Sequence, residues 1–94
     1  MLHPDFRWKS HTTPWGSERW LYVGDVAVGH VDQLLGTCYY SYRSNVDAGA
    51  WISVRAESMA GGVATVERWA SAHARELRLL GIKVDAAGRG ERFA

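Results

Sequence analysis

The stretch Thr13–Gln33, TPWGSERWLYVGDVAVGHVDQ, decides the fold. Two apolar runs flank Gly24-Asp25, and each alternates large or branched residues with small or polar ones. Glu18–Val23 and Val26–Leu34 therefore read as two antiparallel strands. A two-residue connection with glycine first suits a type II′ turn. That turn sets the expected register: Val23 faces Val26, Tyr22 faces Ala27, Leu21 faces Val28, Trp20 faces Gly29 and Arg19 faces His30. One face of the hairpin is then mainly aliphatic. The other sets large rings opposite small residues, which shields a strand glycine.

Working outward, Thr37–Arg43 (TCYYSYR) and Ala50–Arg55 (AWISVR) alternate in the same way and read as two further strands, with Asn45–Gly49 a polar turn between them. Ser58 is a good N-cap for a helix starting at Met59. Met59, Val63, Val66, Ala70, His73, Leu77 and Leu80 recur at steps of four and three, one apolar stripe on a single helix that Gly81 would cap. Gly61 and Gly62 weaken its first turns. Met1–Ser17, punctuated by Pro4, Pro14 and Gly16, reads as an extended lead-in tacked down by Phe6, Trp8 and Trp15. Residues from Ala86 onward read as a tail. The expectation is a single α+β domain, ββββα: a four-stranded antiparallel meander with one C-terminal helix on one face. Residues 1–17 lead in, 18–81 hold sheet and helix, and 82–94 trail.

Composition narrows the function classes. The 94 residues carry 11 basic and 10 acidic side chains, a formal charge of +1, so neither DNA mimicry nor strong non-specific nucleic-acid binding is implied. Cys38 is the single cysteine, which excludes an internal disulfide and favours a reducing compartment. No apolar run approaches the ~20 residues of a membrane span, and the N-terminus lacks the apolar core of a signal peptide. The expected setting is the cytoplasm.

Chemistry-bearing motifs are sparse. A Cys–His pair can serve as nucleophile and base, but Cys38 lies in an aromatic strand without a glycine elbow or an orienting acid. His73 falls in the helix stripe, His30 in a strand, and His3 and His11 in the lead-in. None of these offers a familiar ligand spacing, and no phosphate loop or dinucleotide fingerprint is present. Catalysis, a cofactor and a metal are therefore not expected.

Five tryptophans in so short a chain are the strongest lead. One helix covers one face of a sheet, so the second face meets water, the lead-in or a partner. Trp20, Tyr22, Tyr40, Tyr42 and Trp51 are the candidate anchors on that face, with Arg43 and Arg55 at its rim; Tyr39 joins the set if the register allows. The competing expectation is that Trp8 and Trp15 fold back over these rings as a second small core. Arg68, Arg75 and Arg78 on the outer side of the helix read as a solvated mixed-charge face, or as a shallow basic ridge.

The segments WGSERWLYVGDVAVGHV and VERWASAHARELRLLG together resemble small phage and prophage accessory proteins that pair an LYxGxxxVGxV hairpin with a late VExW helix. The matching residues are Leu21, Tyr22, Gly24, Val28, Gly29 and Val31, then Val66, Glu67 and Trp69. The resemblance spans Trp15 to Gly81 and departs from the pattern at Gly61-Gly62. It implies a non-catalytic binding protein: an inhibitor of bacterial defence, anti-CRISPR-like, that blocks a surface on an effector subunit or nuclease. The alternatives are a structural, self-associating phage component and, third, a nucleic-acid or nucleotide binder using the aromatic face.

Overall fold

The structure, a computed structural model, describes residues 2–43 and 51–82. The turn at Asn45–Gly49 and the tail from Ala86 lie outside the described residues. Five strands form one antiparallel sheet: β1 (Phe6–Thr13), β2 (Gly16–Val23), β3 (Val26–Leu34), β4 (Thr37–Arg43) and β5 (Trp51–Ala56), in the order β1-β2-β3-β4-β5. The helix α1 (Met59–Ala72) follows. A second helix, α2, occupies 74–82. The α+β meander with late helical cover is as expected. Among the described residues two counts are corrected, five strands for four and two helices for one.

The additional strand is the lead-in. Phe6 pairs with Val23 and Thr13 with Gly16 along a full ladder. Its alternation was diluted because only two of the four helix-side positions, Phe6 and Trp8, are apolar; Ser10 and Thr12 reach past the core. Trp8 does not fold over the far face. It packs beside the core on the helix side, and its indole Nε1–H donates to Glu67 Oε2 at 3.1 Å. Trp15 stays exposed at the β1–β2 turn.

The β2–β3 register departs from an uninterrupted ladder in one place. Val23↔Val26 and Tyr22↔Ala27 pair as the turn dictates, and Gly24 takes the positive φ of 58° that a II′ turn requires. Then Leu21 pairs with Gly29, Trp20 with His30 and Arg19 with Val31. Val28 is the extra residue of a β-bulge, and it moves every later β3 residue to the opposite face from the one the simple ladder assigns.

The bulge has a packing cause. Val28 and Gly29 both turn toward the helices. A Cβ on Gly29 would sit 2.5 Å from Val66 Cγ1, and one on Gly62 would sit 2.8 Å from Val31 Cγ1. The two glycines let helix and sheet approach closely while the valine of each pair fills the space above the other. Gly62 is thus a buried contact residue of α1, and the helix begins firmly at Met59: Ser58 Oγ accepts from the Gly61 N–H at 3.0 Å. The core is Phe6, Leu21, Val23, Val26, Val28, Val31, Val66, Ala70, Leu77 and Leu80.

The apolar stripe is not one straight helix. α1 ends at Ala72, and His73 caps it with non-helical backbone, its N–H donating to Trp69 O. The His73 side chain is exposed, with Nδ1 3.1 Å from Glu76 Oε2. The break divides the cover. α1 lies across β3 and β4. In α2, Gly81 comes close to the Val23 backbone, and Arg78 Nε donates to Asp5 at 2.7 Å before β1. Gly81 is therefore a contact residue within α2 and not a helix cap. β5 is left largely uncovered, with Ile52 and Val54 exposed on the helix side.

The β3–β4 turn carries local strain. Leu35 (φ 53°) and Gly36 (φ 82°) both adopt positive φ, the pattern of a type I′ turn. A left-handed leucine costs about 1 kcal/mol or more, and this one is 86% exposed, so little packing offsets the cost. Leu35→Asn keeps the backbone bond from its N–H to Trp15 O. The substitution is expected to raise the thermal midpoint by about 4–8 °C. An unchanged midpoint in calorimetry would show that the leucine side chain contributes packing equal to the strain.

Candidate functional site

Strand alternation assigns the face away from the helices. Across the sheet its rows are Arg7, Tyr22, Ala27, Arg43 and Trp51; then Lys9, Trp20, His30, Ser41 and Ser53; then His11, Glu18, Asp32, Tyr39 and Arg55. Trp20, Tyr22, Trp51, Arg43 and Arg55 thus share this open face, and Tyr39 joins them. Tyr40 and Tyr42 do not. Tyr40 packs against the core beside Gly62, and Tyr42 lies 5.2 Å, ring to ring, from Trp69 of α1. The two tyrosines are helix-side residues, because Tyr40 pairs with Val31 and Tyr42 with Gly29, both of which face the helices.

The rings on the open face are organised. Trp20 lies against His30 with centroids 4.0 Å apart and the rings tilted by 32°, and Trp51 meets Trp20 edge-on at 6.3 Å. Lys9 Nζ sits 4.8 Å from the Tyr22 centroid, and Arg43 Cζ lies 5.8 Å from that of Trp51. Arg43 is held in place by its Nε, which donates to Ala27 O at 3.2 Å. The hydroxyls of Ser41 and Ser53 meet at 3.0 Å. Trp51 and Tyr39 are the most open of these rings, at 40% and 42% exposure.

A second constellation lies on the same face, and sequence spacing did not reveal it. His30 stands between two carboxylates: Nε2 is 3.7 Å from Glu18 Oε1, and Nδ1 is 3.8 Å from Asp32 Oδ2. The side chains are mostly buried, at 13% exposure for His30, 17% for Asp32 and 28% for Glu18. His30 Nε2 and Asp32 Oδ1 are buried and have no hydrogen-bond partner among the described residues. The H-x-D spacing at His30 and Asp32 was a visible same-face signal for a strand. Glu18 could be added only by knowing the bulge, which pairs it with Asp32.

The nucleophile reading gains nothing from the geometry. Cys38 is buried on the helix side of β4, and His30 is on the opposite face of the sheet. A cleft of about 620 Å³ borders Cys38, Gln33, Arg55, Glu57 and Met59 at the end of β4 and β5, with no histidine in its lining. Among the described residues no helix is long and apolar enough to cross a membrane. Compared with protein-family profiles, with curated proteins and with solved structures, the chain matches none.

Proposed function

We propose that the protein acts by binding, and that the open sheet face docks a protein partner. One observation carries this reading. Trp20, Tyr22, Tyr39 and Trp51 are gathered on a sheet face that neither helix nor the lead-in strand covers. Partly exposed tryptophan and tyrosine rings beside arginine are the side chains that dominate protein interfaces.

A nucleic-acid platform fits less well, although Arg7, Lys9, Arg43 and Arg55 outnumber the carboxylates of Glu18 and Asp32 here. Stacking needs bare ring faces. Trp20 already faces His30, and Tyr22 and Trp51 already carry cations. The resemblance to phage accessory proteins supplies the partner class to try first, a bacterial defence protein such as a CRISPR effector subunit or nuclease.

The test is capture from lysate of a bacterium carrying such a system, with the bound proteins identified by mass spectrometry. The expected result is stoichiometric recovery of one defence protein. Trp51→Ala combined with Arg43→Ala should weaken that complex about 30-fold or more, while Trp15→Ala at the remote turn leaves it intact. Equal binding by the double variant would remove the open face as the docking surface.

Self-association is the second reading, favoured by β5, an edge strand exposed along most of its length with Ile52 and Val54 uncovered. It predicts a defined oligomer and no host protein in the capture. A monomer at high micromolar concentration would end it.

A further inference from the structure

The geometry points to a divalent metal site at Glu18, His30 and Asp32; we infer that this cluster takes a Zn²⁺-class cation through one imidazole nitrogen and two carboxylate oxygens. The three residues offer ligand atoms that all lie within 4.8 Å of one another. Zinc held at 2.0–2.2 Å by nitrogen and oxygen needs them about 3.4 Å apart, so binding draws the carboxylates in by up to about 1.4 Å. The two carboxylates balance the charge of a dication.

Three features separate this cluster from an ordinary surface ion pair. First, His30 Nε2 and Asp32 Oδ1 are buried with no hydrogen-bond partner among the described residues, which costs free energy that a bound cation would offset. Second, the imidazole is 3.7 and 3.8 Å from the two carboxylates, ion-pair contacts beyond hydrogen-bond length. Third, the ligands stand on paired interior strands, and the Trp20 ring, 4.0 Å away and tilted by 32°, packs against the imidazole and restricts its rotation. A mixed nitrogen and oxygen set suits zinc, nickel or cobalt better than magnesium, which prefers oxygen alone. Three protein ligands leave a position open to water on the open face.

This inference does not depend on the partner reading, because it is tested on the protein alone. Untagged protein, stripped with chelator, is titrated with Zn²⁺ in a calorimeter and then melted with and without the metal. One saturable site is expected, and at zinc 100-fold above Kd the thermal midpoint should rise by about 10 °C. His30→Ala should weaken binding by about 100-fold or more, since loss of a supporting neighbour alone costs 10- to 100-fold at metal sites. Circular dichroism checks that the variant is folded, and Asp32→Asn serves in its place if it is not.

Trp20 provides a local readout. Bound Co²⁺ should quench its fluorescence, and Trp20→Phe should abolish most of that quenching while the calorimetric site remains. Two results would overturn the assignment: no saturable zinc binding by the folded wild-type protein, or binding of equal strength in a folded His30 or Asp32 variant.

Discussion

Gly29→Ala is expected to destabilise the protein by about 3 kcal/mol and to lower its thermal midpoint by more than ~10 °C. In an ordinary strand the same change removes a conformational penalty and gains about 0.5–1 kcal/mol. Here the new Cβ would lie 2.5 Å from Val66 Cγ1 and 3.4 Å from Leu21 Cβ, against fully buried neighbours. Either α1 lifts from the sheet or the bulge gives way. Val66→Ala removes the obstructing methyl group, so the double variant should be more stable than the sum of the single costs by about 1–2 kcal/mol. Urea denaturation of the four proteins measures this coupling. Additive costs would show that Gly29 does not set the helix–sheet distance.

Leu77→Ala is expected to cost about 3–4 kcal/mol, in the upper range for a buried leucine. Leu77 is fully buried, in the same cluster as Leu21 and Val66, although it lies beyond the helix break at His73. The neighbouring Leu79 is half exposed, and Leu79→Ala should change stability by no more than about 0.5 kcal/mol. The pair therefore asks whether α2 belongs to the cooperative core. A loss below about 1 kcal/mol for Leu77→Ala would mean that α2 opens independently of the sheet.

Period-two alternation and turn chemistry were sufficient for much of the sheet. Val26–Leu34 and Thr37–Arg43 were legible to the residue, because each is bounded by a turn and rich in branched or aromatic side chains. The start of α1 was legible from Ser58. β1 was missed because Pro4 and Pro14 read as loop punctuation and its polar outer positions hid a real alternation. Of the seven candidate site residues, five lie on the open face: three of the five anchors and both rim arginines. The other two, Tyr40 and Tyr42, lie under the helices because the face of β4 is set by its pairing to β3, which no feature of TCYYSYR states.

The same dependence explains the metal-ligand cluster. A ladder without a bulge places His30 beside Arg19 on the helix side. The extra residue at Val28 places it beside Trp20, between Glu18 and Asp32. Nothing local to AVGHVDQ demands a bulge. The demand comes from Val66, far along the chain, which needs Gly29 beneath it.

By itself, then, the sequence determined where four of the five strands lie and where α1 starts, since turn type and capping depend on residues a few positions apart. Tertiary structure alone decided which side chains share a face. Strand faces alternate residue by residue, so a single insertion imposed by helix packing reassigns every side chain beyond it.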